Sequence, residues 1–102
     1  MFQLLIVDDE KSVVDSLSLT IPWTEYGIDE VHQAYSAQDA LRIASEHAVD
    51  IMITDIRMPE MDGLELIKRI RHFSRKIRCI ILSGYDDFEY AQKAIQYQTI
   101  NY

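Results

Sequence analysis

The sequence predicts an α/β fold, a doubly wound parallel sheet with helices on both faces. Short apolar runs alternate with helical patterns in the order βαβαβαβα, followed by the start of a fifth strand, and such alternation requires right-handed crossovers. Three of the apolar runs end in an acid or a hydroxyl group. The most economical strand order is 2-1-3-4, with a fifth strand beside strand four. The order then reverses between strands one and three, where open α/β sheets bind their ligands.

The first half of the chain is expected to supply two strands and two helices. Residues 3–7 form an unbroken apolar run, typical of a central strand, whereas residues 30–34 are more polar and favour an edge of the sheet. The first helix is predicted at residues 11–20. The second begins after Ser36, with Asp39 three positions later as in a capping box. The expected apolar faces comprise Val13, Val14, Leu17 and Ile21 in the first helix and Ala37, Ala40, Leu41 and Ala44 in the second.

The second half is expected to supply two further strands and two helices. The third strand is predicted at residues 50–54 and the fourth at residues 78–82, and residues 99–102 begin a fifth. A helix begins near Gly63, between the third and fourth strands, and another begins at about residue 86. The third helix is expected to bury Leu66, Ile67, Ile70 and Phe73 and to expose Lys68, Arg69 and Arg71.

The composition is that of one acidic globular domain of 102 residues. Its net charge of −7 disfavours direct binding to a nucleic-acid backbone or to an anionic membrane surface, because both require a basic face. No apolar run approaches the length of a membrane span, and the N-terminus lacks the layout of a signal peptide. Cys79 is the only cysteine and lies in an apolar run. We therefore expect a buried thiol in a cytoplasmic protein.

Three carboxylates are expected to converge at one end of the sheet. Asp8 and Asp9 follow the first strand, and Asp55 ends the third. Two carboxylates about 4 Å apart repel each other by roughly 4 kcal/mol at an effective dielectric constant near 20, so such a cluster suggests a raised pKa on one member or a bound hard cation. Oxygen donors favour Mg²⁺, and no histidine or cysteine lies in the cluster to favour zinc. The three histidines, which are scattered and have polar neighbours, are predicted to lie on the surface: His32, His47 and His72.

A carboxylate beside a magnesium ion points to phosphoryl chemistry. The carboxylate can act as a nucleophile and form an acyl phosphate, while the metal neutralises charge on the phosphoryl oxygens. Ser83 ends the neighbouring fourth strand and can donate a hydrogen bond to one of these oxygens. The plainer interpretation of Ser83 is a helix cap or a loop hydroxyl, and its position beside the acids favours the functional one.

In these motifs the chain resembles the receiver domain of two-component response regulators, over essentially residues 1–102. The motifs are Asp8-Asp9-Glu10 after the first strand, residues 54–59 (TDIRMP) leading to residues 61–63 (MDG), and residues 82–84 (LSG). Two further stretches, residues 21–27 and 85–91, are similar to the subgroup whose receivers are fused to AraC-type DNA-binding output domains. The resemblance implies a flavodoxin-like receiver fold.

The resemblance also implies a role for each site residue. Asp55 would accept a phosphoryl group from the phosphohistidine of a sensor histidine kinase, in a reaction that requires Mg²⁺. Asp8, Asp9, Asp55 and the backbone carbonyl of Arg57 would bind the metal. Ser83 would be the switch hydroxyl and Tyr102 the switch aromatic residue. The domain would be regulatory and not an enzyme, apart from self-phosphorylation and autodephosphorylation, and would control a transcriptional output domain.

The chain departs from the family at its C-terminal end. Receivers carry a lysine at the end of strand five and then a fifth helix, and neither is present here. We therefore expect a fragment of a longer regulator, truncated in or just after strand five. An unfinished sheet edge favours pairing with another chain, so a homodimer or an exchange of C-terminal segments is also expected.

Three alternatives stay open on the sequence. A phosphatase of the haloacid dehalogenase type would need a second acid two residues after the nucleophile, where Arg57 stands. A flavin-binding flavodoxin-like domain would need a loop rich in glycine and hydroxyl groups after the first strand, where residues 8–10 are all acidic. A pure interaction module is favoured by the missing lysine and opposed by the intact acids. Binding of a phosphate analogue would distinguish it from a working receiver.

Overall fold

The computed structural model describes residues 2–82 and 99–101, which contain a five-stranded parallel sheet in the order β2-β1-β3-β4-β5, as predicted. The strands are β1 (Phe2–Val7), β2 (Ile28–Ala34), β3 (Ile51–Asp55), β4 (Arg78–Leu82) and β5 (Thr99–Asn101). The helices are α1 (Lys11–Thr20), α2 (Ala37–Glu46) and α3 (Gly63–Phe73), and a 3₁₀ turn covers Trp23–Tyr26. The predicted fourth helix falls outside the described residues. No helix within them is long and apolar enough to cross a membrane.

The register of the central strands decides where the acids lie. β1 pairs with both β2 and β3, and Val7 is opposite Thr54 at the ends of β1 and β3. Asp8, which follows Val7, and Asp55, the last residue of β3, therefore leave the sheet side by side. β2 is an edge strand, as its polar sequence predicted, although it begins two residues earlier than expected.

The central strand β1 is buried on both of its faces, which explains its unbroken apolar sequence. Leu5 and Val7 belong to the apolar cluster under α2 and α3, and Leu4 and Ile6 belong to the cluster under α1. This alternation is the two-residue period of a strand. On the second face α1 contributes the buried Val14, and the other residues of its predicted apolar face are only half-buried.

Helix α2 begins as predicted, because the Ser36 hydroxyl accepts a hydrogen bond from the backbone N–H of Asp39 at 3.1 Å. Three of its four buried residues are alanines, which allows the helix to lie close to the sheet. The face differs from the prediction at two positions, since Ile43 is buried and Leu41 only half-buried. The buried residues of α2 are Ala37, Ala40, Ile43 and Ala44.

Two predictions for α3 are wrong at its C-terminal end. Phe73, expected in the core, is 50% exposed, because it is the last residue of the helix and follows the last buried residue, Ile70. Arg71, expected on the outer face, is half-buried, and its guanidinium donates hydrogen bonds to the carbonyl oxygen of Ile77 and to the thiol sulfur of Cys79. Arg71 therefore ties the end of α3 to the segment that enters β4.

The histidines are less scattered than the sequence suggested. His47 and His72 are exposed as expected, but His32 is half-buried. The rings of His32 and His47 lie 4.4 Å apart between centroids. The Nε2 atom of His32 is 2.9 Å from the side-chain oxygen of Gln3, which fixes the ring against β1. The surface assignment is thus wrong for His32. The burial of Cys79 is confirmed, and that burial raises the pKa of its thiol.

Candidate metal centre

Three carboxylates meet where β1 and β3 end. One carboxylate oxygen from each of Asp8, Asp9 and Asp55 lies within 4.8 Å of the other two. Asp8 is buried, Asp9 is exposed and Asp55 is half-buried, so the cluster opens to solvent on the side of Asp9. Within the described residues this is the one group of three or more acids, histidines or cysteines close enough to hold a metal ion. The predicted convergence of the acids is therefore confirmed.

Asp8 bears the electrostatic cost of this arrangement. Its side chain is 9% exposed, and one of its oxygens accepts a hydrogen bond from the backbone N–H of Glu10 at 3.0 Å. Burial raises the pKa of Asp8 to about 6, the nearby charge of Asp55 adds to that rise, and the Glu10 N–H partly offsets it. The raised pKa therefore reflects first the removal of Asp8 from water and second the negative charge of the neighbouring carboxylates.

Asp55 is held by its own backbone surroundings. Its Oδ1 atom accepts a hydrogen bond from the N–H of Ile56 at 2.9 Å. Its carbonyl oxygen accepts one from the hydroxyl of Thr54, also at 2.9 Å, and Thr54 is fully buried. The N–H of Gly63, at the start of α3, donates to the carbonyl oxygen of Ile56 at 2.7 Å. These bonds fix both the backbone and the carboxylate at the end of β3.

The loop between β3 and α3 is anchored by apolar side chains. Ile56, Met58 and Met61 are buried in the cluster under α2 and α3, so the loop is pinned at three points. Between them Glu60 adopts a left-handed backbone conformation, with φ of 68°, and its side chain accepts a hydrogen bond from Gln38 at 3.3 Å. A pinned loop keeps Asp55 and the residues after it in a fixed relation to the other two acids.

The start of α3 is defined by two residues whose roles the sequence only partly showed. The Asp62 carboxylate caps the helix by accepting the N–H of Glu65 at 2.8 Å. A side chain at Gly63 would collide with the carbonyl group of Asp55. The sequence predicted a helix that begins near Gly63, but nothing in it indicated this contact. The hydroxyl of Thr54 was likewise not recognised as a support for Asp55.

Of the remaining predicted site residues, Arg57 lies in the loop after Asp55, and Ser83 and Tyr102 fall outside the described residues. Arg57 has an exposed side chain and, with Met58, Pro59 and Asp62, lines an open depression of about 410 Å³ beside the loop. The role of its carbonyl group as a metal ligand stays a prediction. Ser83 and Tyr102 lie outside the residues that the structure describes, so their predicted roles as switch residues are not tested.

The donor set suits a hard cation such as Mg²⁺. The three side chains offer only carboxylate oxygens, which Mg²⁺ prefers, and the site is open enough for the metal to keep several waters. A divalent cation would also offset both the burial of the Asp8 carboxylate and the repulsion from Asp55, which together raise the pKa of Asp8. The residues therefore fit the predicted cofactor, both in their chemistry and in their charge.

Comparison with known families agrees with this geometry. A model described as "Response regulator receiver domain" matches residues 4–102. The transcriptional regulatory protein HptR of Staphylococcus aureus is 38% identical over 102 residues, which are 100% of this chain and 40% of that protein. The uncharacterized transcriptional regulatory protein YesN of Bacillus subtilis is 36% identical over the whole chain, which covers 28% of YesN. The chain thus spans less than half the length of these relatives.

Solved structures show the same fold. A crystal structure of a two-component transcriptional regulator AraC from Clostridium phytofermentans superposes with a TM-score of 0.92 at 39% identity, covering 100% of this chain and 79% of that one. The receiver domain of AraT, a response regulator from Geobacillus stearothermophilus, gives a TM-score of 0.90 at 37% identity, covering 99% of this chain and 78% of that one. The predicted likeness to receivers of the AraC-type subgroup is confirmed by these neighbours.

Proposed function

The chain belongs to the response regulator receiver domain family, and from this premise we propose that Asp55 accepts a phosphoryl group from a sensor histidine kinase in a reaction that requires Mg²⁺. The observation that carries the proposal is the position of Asp55, at the end of a central strand and within 4.8 Å of two further carboxylates. Asp8, Asp9 and Asp55 would hold the metal, together with the backbone carbonyl of Arg57. The metal would supply positive charge beside the phosphoryl oxygens.

Asp55 is better placed than its neighbours to act as the nucleophile. The backbone of Asp55 is fixed through Thr54 and the start of α3, so its carboxylate has a defined orientation. Asp8 is buried, and its oxygen is engaged by the N–H of Glu10. Asp9 is exposed, which suits a ligand that meets a partly hydrated cation. The differences in burial support the proposal that Asp55 attacks and that the other two acids chiefly bind the metal.

The transfer itself is a displacement at phosphorus. An oxygen of Asp55 forms a bond to phosphorus as the bond between phosphorus and the ring nitrogen of the donor phosphohistidine breaks. The ring nitrogen keeps the bonding electron pair and takes up a proton from solvent. Asp8 and Asp9 must be ionised to hold the cation, since a protonated carboxyl group is a poor metal ligand. The product is an acyl phosphate on Asp55.

The domain would pass this state on to an output region. This chain covers 40% of HptR and 28% of YesN, and both relatives are named as transcriptional regulatory proteins. We therefore infer a transcriptional output region and a cytoplasmic setting. In this scheme Ser83 donates a hydrogen bond to the phosphoryl group and Tyr102 is the aromatic residue that reports the change. A homodimer would be the regulated form.

Mass spectrometry of the chain with a small phosphodonor and Mg²⁺ tests the proposal. We expect wild type to gain one phosphoryl group, peptide mapping to place it on Asp55, and Asp55→Asn to gain none. Asp62→Asn is the matched control, because it removes a neighbouring acid while asparagine retains the capping function. Uptake by Asp55→Asn at the wild-type rate, or a label on Asp8 or Asp9, would overturn the assignment.

A further inference from the structure

The positive charge of this acidic chain is concentrated in one short segment. Residues 68–78, called here the basic segment, contain six of the ten lysines and arginines and no acid. The basic segment therefore has a net charge of +6 and the other 91 residues a net charge of −13, which together make the −7 of the chain. The positive and negative charges are therefore distributed very unevenly along the chain.

The basic segment lies at the end of the fold opposite the acid cluster. It covers the last turns of α3, the loop that follows and Arg78, the first residue of β4. Arg78 pairs with Ile51 at the start of β3, whereas Asp55 ends that strand four residues later, which corresponds to about 13 Å along the sheet. A partner bound at the basic segment would therefore leave the acid cluster accessible.

Only part of this charge has a structural role. Arg71 supports the loop by donating to the carbonyl oxygen of Ile77, and Arg69 pairs with Glu65 at 3.0 Å. A cation in the last turn of a helix, here Arg71, also interacts favourably with the helix dipole. Lys68 contributes to the lowered pKa of Glu65. These roles account for the basic residues of α3 itself. They do not account for the three basic residues that follow the helix, Arg75, Lys76 and Arg78.

Three cations remain exposed beyond the helix. Arg75, Lys76 and Arg78 are exposed, and none forms an ion pair with an acid in the described part of the chain. Phe73 adds a half-exposed aromatic ring among them. A depression of about 250 Å³ runs into this surface and is lined by Lys68, Arg71, His72 and Arg75. The surface thus combines unpaired positive charge, an aromatic side chain and a concave wall.

We propose that the basic segment is a docking surface for an acidic segment of a partner protein. Arginine and aromatic side chains are the residues that contribute most at protein interfaces, and this surface offers both. A nucleic-acid duplex carries charge along its whole length and would extend from the basic segment over the rest of the domain, whose 91 residues sum to a net charge of −13. A compact acidic segment contacts only the complementary surface, which is why the protein partner is favoured.

Fluorescence anisotropy with a labelled peptide of about ten alternating Glu and Asp residues tests this docking surface. We expect saturable binding at low salt that weakens as screening increases. The variant Arg75→Gln, Lys76→Gln, Arg78→Gln should bind at least tenfold more weakly. Arg71 is left unchanged because it supports the loop. The matched control is Arg42→Gln, which removes an exposed cation of α2 and should change affinity by less than twofold.

The outcomes separate the alternatives. Absence of saturable binding at low salt, or equal losses in the triple variant and the Arg42 control, would overturn the proposal. Tighter binding of a duplex oligonucleotide than of the peptide, with the same loss in the triple variant, would also overturn it and assign the surface to nucleic acid. Thermal unfolding of the triple variant checks its fold independently, because the three side chains are exposed and should contribute little to stability.

Discussion

Gly63 packs directly against the carbonyl group of Asp55. A Cβ atom placed on Gly63 would overlap that carbonyl oxygen and would lie 3.1 Å from the Cα atom of Ile56. The N–H of Gly63 also donates to the carbonyl oxygen of Ile56. The first residue of α3 and the last residue of β3 are therefore in contact through their backbones. This contact determines where the proposed phosphoacceptor stands.

Gly63→Ala should displace Asp55. The backbone of β3 or α3 must move to accommodate the new methyl group, and overpacking of this kind costs about 1–3 kcal/mol of unfolding free energy. A shift of Asp55 relative to the other acids should slow phosphorylation by a small phosphodonor roughly ten- to a hundredfold. Urea denaturation and the rate of phosphoryl uptake, measured well below the melting temperature, check the two effects.

Gly27→Ala is the matched control for that variant. Gly27 has a φ of +83°, so alanine there costs about 1–2 kcal/mol of backbone strain, but the nearest side-chain atom to a new Cβ is 3.7 Å away. Gly27 lies in the turn before β2, far from the acids. The Gly27→Ala variant should be less stable than wild type but should be phosphorylated at the wild-type rate. Equal phosphorylation rates in both variants would show that the Gly63 contact does not position Asp55.

Thr54→Val tests the second support of Asp55. Valine has nearly the shape of threonine but cannot donate to the Asp55 carbonyl oxygen, so we expect a loss of about 1 kcal/mol in unfolding free energy. Thr54→Ser keeps the hydroxyl and loses a buried methyl group, at a similar cost of about 1 kcal/mol. The phosphorylation rate should fall only in Thr54→Val. If both variants slow the reaction equally, the hydrogen bond has no role beyond packing.

The sequence was sufficient to predict the sheet and the acid cluster because their signals are local. An unbroken apolar run such as β1 is explained by burial on both faces, and strand order follows from the alternation of strands with helices. Asp8 and Asp55 each lie at the end of a strand, and parallel neighbouring strands end at the same edge of a sheet. No knowledge of side-chain packing is needed for either conclusion.

The features that escaped prediction depend on how distant segments meet. The Gly63 contact follows from the angle at which α3 leaves the loop, and Arg71 turns inward because Ile77 presents a carbonyl group beneath it. The neighbouring rings of His32 and His47 come from a strand and a loop 15 positions apart. Helical periodicity and residue type carry no information on such contacts, so the side chains of Arg71 and His32 were wrongly predicted to lie on the surface.

Magnesium should stabilise the folded domain through the acid cluster. If the dissociation constant is about 1 mM, about 10 mM Mg²⁺ adds roughly 1.4 kcal/mol to the unfolding free energy. Asp9→Asn should remove most of this increment, and it should raise the stability of the metal-free protein by relieving repulsion. Chemical denaturation with Mg²⁺ or with chelator measures both effects. Asp50→Asn, an acid outside the cluster, should retain the increment, and a wild-type protein indifferent to Mg²⁺ would contradict the site.

The raised pKa of Asp8 should make the metal-free domain more stable in mild acid. The pKa of Asp8 in the folded state, about 6, exceeds its ordinary value of 3.8. Between these two pH values, the Asp8 carboxyl is therefore protonated to a greater extent in the folded state than in the unfolded state. The contribution of Asp8 to stability therefore rises as pH falls from about 6 toward 4, and is lost as pH rises through the folded pKa. Carboxyl groups with a lowered pKa, such as that of Glu65, act in the opposite direction.

Comparison with Asp8→Asn isolates this contribution, since asparagine cannot titrate while the other carboxyl groups still do. In chelator, the difference in unfolding free energy between Asp8→Asn and wild type should be largest above pH 6 and should shrink as pH falls toward 4. In Mg²⁺, wild type should lose its metal-dependent increment over the same range, because protonated Asp8 cannot bind the cation. A difference between the two proteins that stays constant with pH would show that the pKa of Asp8 is not raised in the folded domain.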